Sequence, residues 1–262
     1  LVEPVTKARY LADTAKLPRS LFSHQEQQVS WSNSRADDLE AGTGWGGRVA
    51  DLINSLNAGS KVSMSISVAG ANTFQSANNV FEYQISPYAG SIGLQDVDFG
   101  SQPDPVSKAY RTLLANSHPG LFETEYQRVL NRAISTDQIV KSALAGANVS
   151  TVFTSGELGV QLQMVARLIA SRDLFGLKRQ IFFCGLSGFD NHGDELRDHP
   201  PLLRELSQGL ASFYNATKEL GVSNKVTTFT MSDFGRTYRC NGRGADHGWG
   251  GHHFILGDAV LG

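Results

Sequence analysis

Two apolar runs in the second half of the chain, separated by a helical pattern, constrain the fold more than any other feature. The first, RQIFFCGLSG at 179–188, is almost continuously apolar, as expected of a parallel strand covered on both faces. The next segment, 199–221, predicts a helix with prolines in its first turn and Gly221 at its end. KVTTFTMSDFG at 225–235 predicts a second buried strand. This order indicates an α/β fold with a doubly wound, mostly parallel sheet and helices on both faces.

The remaining periodicities agree with that class. A helix is predicted over 46–57, and apolar residues alternate with serines over 61–70, which predicts a strand with one buried face. Helical patterns cover 106–147, broken near residues 118–120, and 156–172, where Leu158, Leu162, Val165 and Ile169 form one stripe. Residues 70–105 are rich in Gly, Ser, Asn, Gln and Pro, and we interpret them as an irregular excursion or lid.

Composition excludes two classes of partner. A net charge of -2 and a pI near 6.4 provide no basic field for nucleic acid. No apolar run approaches the roughly 18 residues of a membrane span. The length of 262 residues, 40% of them hydrophobic, suits a single domain over 1–262. Cys184 lies in an apolar run and Cys240 in a polar loop, so two separate thiols are favoured over a disulfide.

Acidic and imidazole side chains follow both apolar runs. Ligands of open α/β sheets bind at the carboxyl ends of the strands. A mixed set of oxygen and nitrogen donors there suits a divalent metal: Zn or Mn, or Ca or Mg if carboxylates dominate. The candidate metal ligands are Asp190, His192, Asp233, Asp246 and His247. Each has an alternative, since Asp190 and His192 can shape a turn, Asp233 can pair with Arg236, and Asp246 with His247 can be a loop pair.

Three further side chains are candidates for binding substrate. Arg236 and Arg48 each follow glycine, and a guanidinium binds sulfate or phosphate through two parallel hydrogen bonds. Either arginine can instead pair with an aspartate, which is the favoured reading for Arg48. Trp249 is flanked by glycines and can stack on a sugar ring or simply pack in a tight loop.

Several long motifs together resemble one protein family. FFCGLSGFDNHGD, TMSDFGRTYRCNGRGADHGWGGHHFILG, SLFSHQEQQVSW and TGWGGRVADLI resemble the secreted bacterial family called domain of unknown function 1501. That family in turn resembles the alkaline phosphatase-like superfamily of sulfatases, phosphatases and cofactor-independent phosphoglycerate mutases. Residues 245–248, Ala-Asp-His-Gly, are similar to a metal-binding motif of the mutases. The sulfatase motif Ser-Asp-His-Gly is not matched, because Phe234 follows Asp233.

The resemblance implies a fold, a location and a nucleophile. It implies an alkaline phosphatase-like fold, twin-arginine export, and a periplasmic or extracellular location. It also implies that this sequence lacks the first strand and the C-terminal end of the family. In the superfamily, the nucleophile lies at the N-terminus of a helix, and Ser23 is the residue predicted to occupy that position in this chain. Ser23 and Glu26 also match the pattern of a capping box, which would explain both residues without catalysis.

Two functional hypotheses follow. The first is an exported metal-dependent hydrolase of sulfate or phosphate esters, on a small molecule or a polysaccharide, with Arg236 holding the anion and Ser23 or water attacking. The second is a surface or assembly protein that keeps the fold without the chemistry, motivated by Phe234 and by the ambiguous Ser23. Both leave a homo-oligomer open.

Overall fold

The structure is a computed structural model that describes residues 7–12, 20–35, 42–91, 93, 104–116, 119–248 and 250–261. Its helices are α1 (Lys7–Ala12), α2 (His24–Asn33), α3 (Trp45–Ile53), α4 (Pro105–Ala115), α5 (Leu121–Gly146), α6 (Glu157–Ala170), α7 (Arg172–Phe175) and α8 (Glu195–Glu219). Its strands are β1 (Ser65–Ser67), β2 (Tyr83–Gln84), β3 (Ile181–Phe183), β4 (Thr228–Phe229), β5 (Gly235–Cys240), β6 (Ala245–Gly248) and β7 (Ile255–Leu256).

The strands form three small sheets. β1 lies at the centre of a parallel sheet of order β2-β1-β3, with Ile66 opposite Tyr83 on one side and Phe182 on the other. β4 pairs with β7 and β5 pairs with β6, both antiparallel. β2 lies inside the segment read from sequence as an irregular excursion, so part of that segment extends the parallel sheet. Whether the rest acts as a lid stays a prediction.

The core is one cluster of buried apolar residues that includes side chains of β1, α5, α6 and α8. All four members of the predicted stripe of α6, Leu158 to Ile169, are buried, which confirms that periodicity. The break between α4 and α5 also falls where the sequence predicts it. α8 begins at Glu195, earlier than predicted, and ends before Gly221, whose φ of +66° suits the left-handed residue after a helix.

The prediction that β1 has one buried face is wrong. Ser63, Ser65 and Ser67 are buried together with the apolar residues between them. Small hydroxyl side chains are tolerated in the core when they find an acceptor nearby. Ser63 Oγ donates to the Phe81 carbonyl at 2.6 Å, and Ser67 Oγ donates to the Gly70 carbonyl at 2.5 Å.

The two apolar runs are less buried than their composition predicts. β3 is an edge strand with three half-buried residues, because only β1 pairs with it among the described residues. The run at 225–235 forms only β4, where Phe229 is 39% exposed, so a buried strand there is wrong. β3 and β4 both line one cavity of about 3270 Å³, whose floor includes apolar residues of α6 and α8. The segments that follow β3 and β4 contribute side chains to the candidate site.

Candidate functional site

Asp190 is the centre of a polar cluster just beyond the end of β3. Its Oδ1 lies 3.1 Å from His192 Nε2 and 3.2 Å from His247 Nε2. Its Oδ2 lies 3.2 Å from His24 Nε2. Arg236 Nη2 is 2.8 Å from Asp190 Oδ1. We call Asp190, His24, His192, His247 and Arg236 the Asp190 cluster.

Four separate segments bring these side chains together. His24 is the first residue of α2, and His192 lies in the loop before α8. Arg236 on β5 and His247 on β6 are directly opposite each other in the antiparallel register, so pairing places their side chains next to each other. The loop between β5 and β6 contacts the His192 loop, since Asn241 Nδ2 donates to the His192 carbonyl at 3.0 Å.

Each histidine of the cluster is oriented through Nδ1. His247 Nδ1 donates to the Phe22 carbonyl at 2.7 Å, because a carbonyl only accepts. His24 Nδ1 is 2.6 Å from Asp233 Oδ2, and His192 Nδ1 is 3.3 Å from Asp246 Oδ1. A proton on Nδ1 leaves Nε2 of the neutral ring with a lone pair, and this is how histidines that bind metals are held.

The three Nε2 atoms therefore converge on one carboxylate. His192 Nε2 and His247 Nε2 are only 2.9 Å apart. Two nitrogen lone pairs at that distance repel each other unless a proton or a cation lies between them. A proton or a cation between these two nitrogens would remove that repulsion.

The carboxylates of the site stay ionised at neutral pH. Desolvation opposes the charge on Asp190, but the contact with His247 and the charge of Arg236 outweigh it and lower the pKa of Asp190. Desolvation is likewise outweighed at Asp233, where hydrogen bonds from His24 and Gln28 lower the pKa. The hydrogen bond from Asn241, followed by that from His192, lowers the pKa of Asp246. The hydrogen bond to Asp233 outweighs desolvation and raises the pKa of His24.

Arg236 is enclosed but poorly satisfied. Its side chain is 13% exposed, and its three guanidinium nitrogens are buried and donate no well-aligned hydrogen bond to any described residue. Its ion pair with Asp190 compensates the charge but leaves donor capacity unused. An oxyanion that approached the cluster would find those donors.

The structure brings together six of the nine residues chosen from sequence. These are Asp190, His192, Asp233, Arg236, Asp246 and His247. Asp233 and Asp246 accept from histidine Nδ1 atoms, so in this geometry they orient His24 and His192 and do not belong to the convergent set of atoms around Asp190.

The other three residues have different outcomes. Ser23 is the N-cap of α2, and its hydroxyl donates to Glu26. Its neighbour Phe22 accepts from His247 through the backbone carbonyl, and its neighbour His24 belongs to the cluster. Among the described residues, Arg48 donates to main-chain carbonyls, 2.9 Å from Thr43 O and 2.7 Å from Asn33 O, and not to an aspartate. Trp249 lies outside the described residues.

Sequence reasoning missed His24. One face of α2 places His24, Gln28 and Trp31 at i, i+4 and i+7, and all three contact Asp233. Gln28 Nε2 donates to Asp233 Oδ2 at 3.2 Å, and Trp31 Nε1 donates to the Asp233 carbonyl at 3.1 Å. The helical spacing of these polar and aromatic residues was the sequence signal that could have identified His24 as a site residue.

The cysteines do not take part. Cys184 and Cys240 are both free thiols, which confirms the sequence prediction. Burial raises the pKa of the Cys184 thiol to about 12, so it is not a competing nucleophile.

Comparison with known proteins gives one match. The profile of a family described as "Protein of unknown function (DUF1501)" matches residues 2–262. The chain belongs to the DUF1501 family. No curated protein and no solved structure matches this DUF1501 chain. Among its described residues, no helix has both the length and the apolar character needed to cross a membrane.

Proposed function

We propose that this DUF1501 protein is a metal-dependent hydrolase of sulfate or phosphate esters that acts in the periplasm or outside the cell. The observation that carries the proposal is the convergence of three imidazole Nε2 atoms on the Asp190 carboxylate, each ring oriented through Nδ1. The unused donors of Arg236 beside that carboxylate support an anionic substrate.

The donor set fits a divalent cation. His192 Nε2, His247 Nε2 and Asp190 Oδ1 are separated by 2.9 to 3.2 Å. Ligands about 2.0–2.1 Å from a tetrahedral metal are separated by roughly 3.3 Å, which is close to those values. His24 Nε2 adds a further nitrogen at the other oxygen of Asp190. Imidazole-rich donor sets favour Zn over Mn, Ca or Mg, which narrows the choice of metal left by the sequence.

The protein's own residues supply most of the proposed chemistry. A bound cation would stabilise negative charge on the reacting ester and on the attacking oxygen. Arg236 would bind one oxygen of the sulfate or phosphate and orient the ester. Ser23 lies at the N-terminus of α2, where the backbone N–H groups of the first turn favour an anion. The Ser23 hydroxyl donates a hydrogen bond to the Glu26 carboxylate. Ser23 or a water molecule is the proposed nucleophile.

The fold is part of the proposal. Asp190 lies beyond the end of β3, an edge strand of the parallel sheet, and this placement supports a doubly wound, alkaline phosphatase-like arrangement, although Asp233 follows β4 of a separate antiparallel pair. The cavity beside the Asp190 cluster, about 3270 Å³, has room for a small ester or for part of a polysaccharide.

Metal content and ester hydrolysis together test this proposal. Chain purified without chelator is analysed for bound metals, and hydrolysis of p-nitrophenyl phosphate and p-nitrophenyl sulfate is followed with added Zn²⁺ or Mn²⁺. We expect about one or two cations per chain in the parent. We expect His247→Ala to lose metal and at least about 100-fold in kcat/KM, as is typical when a group that stabilises transition-state charge is removed.

A matched control distinguishes the loss of the Asp190 carboxylate from the loss of any surface carboxylate. Asp190→Asn removes the central carboxylate, whereas Asp198→Asn makes the same change on α8, where the carboxylate pairs with Arg197. Only Asp190→Asn should lower metal content and activity. Equal metal content in both variants, or a parent that neither binds a cation nor cleaves either ester, would refute the hydrolase.

A second candidate is a non-catalytic assembly protein on the same fold. It is favoured by the internal pairing of the cluster, in which Asp190 is already matched by Arg236 and by three histidines. The Phe234 ring also packs against His24 and His247, with ring centroids 4.7 and 4.4 Å apart. A metal-free parent of unchanged stability in chelator would favour this candidate.

A further inference from the structure

α4 and the first half of α5 form a helical hairpin that exposes two apolar stripes. On α4, Val106, Tyr110 and Leu113 lie at i, i+4 and i+7 and are 57%, 40% and 59% exposed. On α5, Phe122, Tyr126 and Val129 have the same spacing and are 87%, 67% and 39% exposed. Leu121 adds a further exposed side chain. We call these seven residues the hairpin stripes.

The hairpin is a defined element, not a loose end. Asp104 caps α4 by accepting from the backbone N–H groups of Val106 at 2.8 Å and Ser107 at 3.1 Å. Gln127 on α5 donates to the Asn116 carbonyl after α4 at 2.8 Å, which joins the two helices. With 11 residues, α4 has a length that is marginal for an isolated helix in water, and the stability of such helices usually comes from burying an apolar face. In the hairpin, the apolar stripe of each helix is instead exposed to solvent.

The area of the stripes matches what a stable dimer buries. An aromatic side chain buries about 150–250 Å², and three of the seven are aromatic. Scaled by their exposure, the seven side chains present roughly 700 Å², close to the roughly 800 Å² per partner of a standard interface. Soluble monomers rarely leave so large an apolar patch without a function.

The charges beside the stripes are self-complementary. α4 carries Lys108 and Arg111 and no carboxylate between Pro105 and Ala115. In the first two turns of α5, residues 121–127, the acidic residues are Glu123 and Glu125. Glu125 is paired with Arg128 at 2.8 Å, so Glu123 is the carboxylate that would face α4 of the other copy. A two-fold dimer places one surface against its own copy, so α4 of one protomer can meet α5 of the other with opposite charges aligned.

We infer that the α4–α5 hairpin is a homodimer interface, in which the hairpins of two copies pack as a four-helix arrangement that buries the hairpin stripes. The inference is independent of the Asp190 cluster and of any hydrolase activity.

Sedimentation velocity of the 262-residue chain over a concentration series tests the interface. We expect a reversible dimer of twice 28.4 kDa. Phe122→Glu and Tyr126→Glu should each raise the dimer dissociation constant by about 30-fold or more, as expected when a central aromatic anchor is lost. Val152→Glu is the matched control, since Val152 is 85% exposed on a loop outside the hairpin, and its dimer should be unchanged.

Charge reversal tests the identity of the partner. Lys108→Glu should weaken the dimer, and combining it with Glu123→Lys should restore it, because both copies then carry the exchanged charges. Circular dichroism confirms that each variant keeps its helix content. A chain that stays monomeric throughout, or a dimer insensitive to both aromatic substitutions, overturns the inference. Monomeric protein that binds phosphatidylcholine or phosphatidylglycerol vesicles in a Phe122-dependent manner overturns it in favour of a lipid surface.

Discussion

The core around β1 and α6 differs from the Asp190 cluster in how its contacts relate to the sequence. Ile66 and Leu168 are fully buried, and each lies within a segment whose own periodicity marks it as a strand or helix. In the Asp190 cluster, contacts join distant parts of the chain: His24 is oriented by Asp233, which lies 209 positions away in the sequence. The side chain of Asp190 is also 47% exposed. The core stabilises the fold through packing. The cluster holds charges and lone pairs in a fixed arrangement, and such sites contribute little to stability.

The largest effect is expected in the core. Leu168→Ala removes a side chain that is 0% exposed on α6 and should cost about 2–5 kcal/mol in the free energy of unfolding. Leu174→Ala is the matched control, because Leu174 is 63% exposed on the neighbouring helix α7, and it should cost less than about 0.5 kcal/mol. Urea denaturation measures both. Similar losses in the two variants would break the contrast.

A smaller effect is expected in the cluster, and in binding rather than in folding. Asp233→Asn weakens the acceptor that orients His24 through Nδ1 and should raise the dissociation constant of the proposed metal about 10–100-fold. The unfolding free energy should change by only about 1 kcal/mol, because the Asn side chain keeps an oxygen that can accept from His24 Nδ1, even though the Asp233 side chain is 15% exposed. Calorimetric Zn²⁺ titration measures the first quantity and urea denaturation the second. A folding defect without a binding defect would make Asp233 a structural residue.

Asp51 is a carboxylate with a structural role and provides an intermediate case. It accepts from the backbone N–H groups of Asn78, Asn79 and Val80 at 2.9, 3.0 and 2.8 Å. Desolvation opposes its charge, but these hydrogen bonds outweigh it and lower its pKa. Asp51→Asn should cost about 1 kcal/mol at pH 7, a modest value because solvent screens the partly exposed group.

The pH dependence of that cost has a definite sign. A carboxylate with a lowered folded pKa stabilises the fold above its unfolded pKa of about 4, and this contribution is lost as the pH falls through the folded pKa. The difference between Asp51→Asn and the parent should therefore be full at pH 6–7 and disappear at low pH. Thermal unfolding across this range measures it. A difference that grows as the pH falls would contradict the assignment.

A surface ion pair gives the smallest expected effect. Arg128 Nη2 lies 2.8 Å from Glu125 Oε1 on α5, and the two side chains are 66% and 52% exposed. Arg128→Ala should leave the unfolding free energy almost unchanged, and added salt should reduce the difference further. Urea denaturation at two salt concentrations measures this. A loss as large as that expected for Asp51→Asn would mean that charge contributes to folding outside the cluster as well.

Local periodicity predicted the helices well and the strands poorly. α4, α5 and α6 fall where the spacing of apolar residues places them, because the helical repeat is satisfied within one segment. The burial of β1 on both faces and the edge position of β3 depend on what lies beside each strand. For the same reason, β4 pairs with β7, which the periodicity of its own segment cannot indicate.

The sequence by itself determined the family, the major helices and most of the polar residues that meet near Asp190, since these properties are written in residue type and spacing. Only the tertiary structure decided that His24 joins them from the start of the chain, and that Asp233 and Asp246 orient histidines. The reason is physical. A side chain's type sets what it can donate or accept, but which partner it meets is set by how distant segments pack.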